Sequence, residues 1–226
     1  MTEKKNASEL ALPRYIAIEG VIGAGKTTLA TLLSNRLNAR LVLERFKQNP
    51  FLEDFYRDPE RHAFQTQIFF LLSRYRQQQE LGQLDLFHQM IISDYTFDKD
   101  RIFATLTLSE HEFRLYDSLL SALAEQVQLP DLVIYLQSNM NRLIRNIRNR
   151  GRAMEQNISV GYLQELSEAY SQHFFRETGI NTLIVNTPEF DFVNDQVAME
   201  ALIDEIGRPN PAPLRMFQVS KPGKLL

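Results

Sequence analysis

The chain has no cysteine among its 226 residues. That excludes disulfides and thiolate metal sites, and it fits a reducing cytoplasm. It has little excess of either charge: 25 Lys and Arg against 28 Asp and Glu leave a formal net charge of −3, with pI near 5.9. An electrostatic footprint for duplex DNA or an anionic membrane is therefore missing. No apolar run approaches membrane-spanning length, and Met1 to Leu10 is polar, without a hydrophobic core of signal-peptide length. The expectation is a soluble cytoplasmic protein with neither nucleic-acid nor membrane partners. No internal repeat is visible, and the length suits one α/β domain with a lid.

What is present centres on Gly20 to Thr28, reading GVIGAGKTT. Gly20, Gly25, Lys26 and Thr27 fit G-x-x-x-x-G-K-[ST] between an apolar run (Tyr15, Ile16, Ala17, Ile18) and an apolar-periodic one (Leu29, Leu32, Leu33, Leu37). That order is strand, glycine loop, helix. Gly20, Gly23 and Gly25, with Ala24 between, allow backbone angles at which successive N–H groups turn inward around phosphate oxygens. The following helix adds the positive end of its dipole, with Thr28 in its first turn. Lys26 then supplies a point charge for β- and γ-phosphates, and the Thr27 hydroxyl can enter a Mg²⁺ shell. A nucleoside triphosphate with Mg²⁺ is the ligand this predicts, with ATP as phosphoryl donor.

Further strands are expected at 41–43 (ending at Glu44), 90–92 (closing on Ser93-Asp94-Tyr95), 132–136 and 182–185, after a first strand at 14–19. Helices are expected at 27–37, 64–81, 110–127, 162–175 and 193–206, with a further helical segment after the Asn49-Pro50 turn. Five apolar strands alternating with helices predict a five-stranded parallel sheet covered on both faces, with right-handed crossovers. Ligands then bind at the carboxyl ends of the strands, where Gly20, Glu44 and Asp94 fall. Residues 1–12 read as a disordered tail, 13–207 as a single domain, and 208–226, with Pro209, Pro211, Pro213 and Pro222, as an extended tail that cannot be helical. The long helices at 64–81 and 110–127 could pair across a homodimer.

A phosphate loop alone says only that nucleotide binds. GTPases carry an N-K-x-D base-reading motif, which this chain lacks. Arg142, Arg145, Arg148, Arg150 and Arg152 form a cluster, and the last three, with Gly151 as a flexible point, suit a lid at about 148–158. Cis arginines over a transferring phosphoryl group stabilise its charge while the lid excludes water.

With these features the chain resembles the deoxynucleoside kinases of the P-loop kinase group. The resemblance runs from Tyr15 to about Asn194 and rests on the loop, on YRDPERHAFQTQIFFLLSRYRQ (56–77), on the lid NRGRAMEQNISVGYLQEL, and on the acid Glu44. It implies transfer of the ATP γ-phosphoryl group to the 5′-hydroxyl of a deoxynucleoside, with purines favoured. By resemblance Glu44 takes the hydroxyl proton, and Lys26, Arg150 and Arg152 serve the phosphates. Tyr56 bonds the 3′-hydroxyl with Glu155 as acidic partner, Gln67 reads the base, and Arg74 flanks it. Gln65 competes with Gln67 if the helix is rotated. Asp94, with Thr27, is implied near Mg²⁺.

Two departures stand out. After the third strand the family has an acid, then arginine, then serine, whereas this chain has Asp94-Tyr95-Thr96. The arginine that would help orient Glu44 has no counterpart, and Asp98, Lys99, Asp100 and Arg101 are all candidates to compensate. His62 also stands where the family often has a larger aromatic. A thymidylate-kinase-like monophosphate kinase shares the fold, and a non-catalytic nucleotide-binding regulator is the alternative of another class.

Overall fold

The structure is a computed structural model and describes residues 12–81, 89–97, 99–156, 158–176, 179–209 and 212–218. The tail expected before residue 12 lies outside the described residues, as does part of the one after 207. Six strands form one parallel sheet in the order β2-β3-β1-β4-β5-β6. They are β1 (Tyr15–Gly20), β2 (Arg40–Val42), β3 (Ile91–Ser93), β4 (Leu132–Gln137), β5 (Thr182–Asn186) and β6 (Leu214–Phe217). Every residue of β1 is buried, as expected of a strand covered on both faces. Its register sets Tyr15 against Ile91 and Ile16 against Leu132, so the loop after Gly20 leaves from the middle of the sheet.

Six strands rather than five is a correction. The described residues of the proline-rich tail contain no helix, but the Leu-Arg-Met-Phe segment pairs with β5, and the Pro213 carbonyl accepts the Thr182 N–H at 2.7 Å. Only Phe217 of that strand is buried, packed 5.4 Å from Phe190, while Leu214 and Met216 are exposed. An edge strand anchored by one aromatic carries almost no alternating pattern.

The helices are α1 (Lys26–Leu37), α2 (Leu52–Arg57), α3 (Pro59–Leu81), α4 (Lys99–Thr107), α5 (Glu110–Ala124), α6 (Met140–Arg150), α7 (Val160–Phe174) and α8 (Gln196–Ile206). α3 starts earlier than its apolar periodicity indicates because Pro59 is tolerated in a first turn. α4 escapes the apolar pattern since its first turn buries a lysine and an aspartate. Asn139 caps α6 by accepting the Arg142 N–H, and Gly151 ends it at a φ of 64°, which turns the chain into the lid. Among the described residues no helix is long and apolar enough to cross a membrane.

Candidate active site

The glycine loop is built from left-handed backbone. Gly23 and Gly25 have φ of 86° and 102°, and a Cβ on Gly25 would come within 2.9 Å of the Phe192 ring. One on Gly23 would sit 2.8 Å from the Leu143 carbonyl oxygen. Both positions thus demand glycine for conformation and for space. The Asn146 side chain donates to the Gly23 carbonyl at 2.8 Å, tying α6 to the loop. α1 opens with neither an acidic residue in its first turn nor a side-chain cap, so its N–H groups stay open to an anion.

Lys26 Nζ donates to the carbonyls of Gly20 and Val21 at 2.6 and 3.2 Å. Burial, reinforced by the nearby Lys99 charge, lowers its pKa to about 8, with Glu19, Glu44 and Asp94 pulling the other way. An ammonium in that state gains from any anion that arrives. Under the loop Glu19, fully buried, accepts the Gly20 N–H at 3.2 Å and the N–H and hydroxyl of Thr96 at 2.6 and 3.0 Å. It ties the exit of β1 to the exit of β3. Glu19 went unnoticed in the sequence, although a carboxylate inside the otherwise apolar Tyr-Ile-Ala-Ile-Glu-Gly run was the available signal.

Asp94, just past β3, receives the Thr27 hydroxyl on Oδ2 at 2.6 Å and the Glu44 N–H on Oδ1 at 2.8 Å. One carboxylate therefore fixes both the loop threonine and the backbone of the acid after β2. The Glu44 side chain points between two cations: Arg74 Nη2 bonds Oε1, and Lys99 Nζ lies 3.2 and 3.4 Å from Oε2 and Oε1. Burial alone would raise the Glu44 carboxyl, but Lys99 and Arg74 outweigh it and hold the group well below the usual carboxylate range. Arg74, 2% exposed, also ion-pairs with Asp100 and faces the Phe70 and Tyr95 rings at 5.2 and 5.6 Å. The residue expected beside a base thus has its guanidinium between Glu44 and Asp100, in the wall of a cavity that all three line. Of the four candidates to compensate for the missing arginine, Lys99 reaches Glu44, Asp100 braces Arg74, and Arg101 pairs with Asp117 at 2.9 Å. Asp98 lies outside the described residues.

Gln67 is buried in the cavity wall, its Nε2 at 3.5 Å from Thr107 Oγ1 and its Oε1 without a hydrogen-bond partner. Gln65 instead bonds the Arg61 carbonyl at 3.1 Å and His62 at 3.0 Å on its own helix. Tyr56 and Glu155 line the cavity with Gln67. Glu155 accepts from both Arg150 and Arg152, the latter at 3.1 Å, and the Arg152 guanidinium lies 3.8 Å over the Phe46 ring. Arg145 and Arg148 are exposed and line only a shallow surface depression.

Two cavities flank the loop. The inner one holds Glu44, Tyr56, Gln67, Arg74 and Glu155; the outer one holds Gly23, Gly25, Thr28, Arg142, Asn146 and Phe192. Lys26, Thr27, Arg150 and Arg152 line both. A larger open groove beside α4, α5 and α7 shares no loop or lid residue with them. Asn146 and Phe192 were not foreseen, since neither lies within a motif and only the tertiary fold brings them to the glycines.

A parallel sheet with a phosphate loop at its centre, and lid arginines between an inner and an outer cavity, defines a P-loop kinase for small acceptors. The deoxyadenosine kinase of M. mycoides, solved with dATP bound, superposes with a TM-score of 0.75 at 26% identity, covering 86% of this chain and all of that one. Residues 16–209 match the family model described as deoxynucleoside kinase, and the chain belongs to that family. It is 38% identical to the deoxyguanosine kinase of Bacillus subtilis (strain 168) over 69% of this chain and 76% of that protein. Identity to the deoxyadenosine kinase of Dictyostelium discoideum is 36% over 78% of this chain and 73% of that protein.

Proposed function

We propose that the chain moves the γ-phosphoryl group of ATP to the 5′-hydroxyl of a purine deoxynucleoside, giving the 5′-monophosphate and ADP. The observation that carries this reading is that Lys26, Thr27, Arg150 and Arg152 line both cavities while Glu44 lines only the inner one. The donor's phosphates fit the outer side and the acceptor the inner side, with the cations where the phosphoryl group crosses. Glu44 accepts a hydrogen bond from the acceptor hydroxyl and takes its proton as the new P–O bond forms and the β–γ bond breaks. Lys26 and the two lid arginines carry the charge that spreads over the equatorial oxygens.

Among the described residues no group of three His, Cys, Asp or Glu could hold a metal alone. Thr27 Oγ1 and Asp94 Oδ2 are nevertheless hard oxygens side by side at the loop, the donor set of a Mg²⁺ held largely by phosphates and water. Bound there, Mg²⁺ would neutralise charge between the β- and γ-phosphates. The purine preference draws on the relatives named as deoxyguanosine and deoxyadenosine kinases. A second copy of the chain is the proposed partner, since α3 and α5 leave Leu72, Leu115 and Leu119 exposed. A cytoplasmic location is in keeping with the cysteine-free composition.

The test is incubation with labelled ATP and Mg²⁺ against separate panels of nucleosides and monophosphates. Label in purine deoxynucleoside monophosphates is the expected result. Label only in diphosphates would replace this reading with a monophosphate kinase.

A further inference from the structure

We infer that Lys99 is the positioning residue that aims the Glu44 carboxylate at the acceptor hydroxyl. The inference rests on the reading of Glu44 as the proton acceptor. Lys99 is 5% exposed and sits in the first turn of α4. Both features count against a lysine there, since burial strips its hydration and a helix N-terminus repels positive charge. The chain tolerates this because Nζ reaches both oxygens of Glu44, at 3.2 and 3.4 Å, a contact made across 55 positions of sequence.

The geometry divides the work between two cations. Arg74 is immobilised, with one Nη on Asp100, the other on Glu44, and Phe70 and Tyr95 beside its guanidinium. It grips Glu44 through Oε1 alone, which leaves the carboxylate free to pivot about that contact. Lys99 spans the pair of oxygens and removes the pivot. Tyr95 occupies the position directly after the acid Asp94 and is fully buried with its ring against Arg74, so that position braces Arg74 and supplies no cation to Glu44. Arg101, the other cation of that turn, is engaged with Asp117 on the outside of α4.

Four proteins test this: Lys99→Met, Lys99→Arg, Glu44→Gln and the double variant Lys99→Met/Glu44→Gln. Each is assayed for kcat and KM with deoxyguanosine and deoxyadenosine, and for affinity to a non-hydrolysable ATP analogue. Lys99→Met should lower kcat by about 10- to 100-fold, the size of effect seen when a supporting group of a reactive residue is removed. Analogue affinity should stay within about threefold, because Lys99 lines only the inner cavity. Lys99→Arg should recover most of kcat. In the Glu44→Gln background the loss of Lys99 should cost less than about threefold, since there is no carboxylate left to aim. Full turnover in Lys99→Met, failure of Lys99→Arg to recover it, or losses that multiply in the double variant would overturn the inference. If Lys99→Met does not fold, Lys99→Gln takes its place; if neither folds while the double variant does, the pair is structural and the inference falls. A Glu44→Gln protein with full turnover would instead sink the reading of Glu44. A large loss in Glu44→Gln beside normal Lys99→Met would sink only the role of Lys99.

Discussion

Thr27 Oγ1 donates to Asp94 Oδ2 at 2.6 Å, joining the phosphate loop to the end of β3. The other Asp94 oxygen holds the Glu44 backbone N–H at 2.8 Å, so one carboxylate sets the spacing between the phosphate loop and Glu44. Asp94→Asn keeps the shape but loses the charge that a cation beside Thr27 would require. The half-saturating Mg²⁺ concentration should rise by about 10-fold or more, in line with removal of a group that supports a metal site. A Mg²⁺ titration of turnover at fixed nucleotide measures it. An unchanged midpoint would remove Asp94 from the metal site.

The helix α3 makes a prediction about register. Gln67 faces the inner cavity with an unpaired buried oxygen, while Gln65 bonds its own helix. A nucleobase that pairs with Gln67 leaves a polar edge unsatisfied when the amide is removed. Gln67→Ala should therefore lower kcat/KM for the preferred nucleoside by roughly 10- to 100-fold, and Gln65→Ala should be close to wild type. Steady-state kinetics with both variants decide it, and the reverse ranking would move base recognition to Gln65.

How much of this was readable in one dimension depended on whether a device is local. The phosphate loop is contiguous, and its glycines, lysine and threonine are required by backbone geometry at fixed spacing, so strand, loop and helix could be read together. The arginine pair that meets Glu155 was legible for the same reason, because Arg150, Gly151 and Arg152 are neighbours. Lys99 was legible only as one of four candidates with Asp98, Asp100 and Arg101, since nothing local ranks them until the packing of α3 against α4 brings Lys99 to Glu44. The sixth strand also escaped, as a Pro-flanked segment with a single buried side chain has no period to detect. Phe192 under Gly25 is a contact across 167 positions of chain, and no local pattern records it.

Acidity bears on stability through Glu44. Its folded pKa lies below its ordinary value of 4.5, because Lys99 and Arg74 outweigh the effect of burial. Below pH 4.5 the unfolded chain takes up the proton first, so the stabilisation is complete above that pH and is lost as pH falls toward the folded value. Glu44→Gln leaves buried Lys99 without its carboxylate partner and Arg74 with Asp100 alone, which costs about 3 kcal/mol at pH 7 by analogy with other broken buried pairs. For a chain of this size that corresponds to roughly 6–12 °C in Tm. The Tm gap between wild type and variant should be widest at pH 7 and should narrow below pH 4.5. Thermal melts from pH 7 to pH 4 test this, and parallel curves would show that Glu44 gains nothing from its cations.

The last prediction concerns the sugar. Tyr56 and Glu155 line the inner cavity, and burial, with the Glu155 charge close by, pushes the Tyr56 phenol upward. It keeps its proton at any physiological pH and is available as a donor, while Glu155, held by Arg150 and Arg152, can accept. A donor and an acceptor side by side suit a hydroxyl, and by the family resemblance that hydroxyl is the 3′ one. A site built to bond a hydroxyl discriminates against an analogue that lacks it, because its buried polar groups are then left unpaired. Wild type should prefer a deoxynucleoside over the matching 2′,3′-dideoxynucleoside, and Tyr56→Phe should shrink the ratio of their kcat/KM values by about 10-fold. The fall should come from the deoxynucleoside, with the dideoxynucleoside hardly affected, since that analogue never made the bond. Equal losses for both sugars would mean that Tyr56 shapes the cavity without reading the hydroxyl, and the assignment of the pair to the 3′ position would fail.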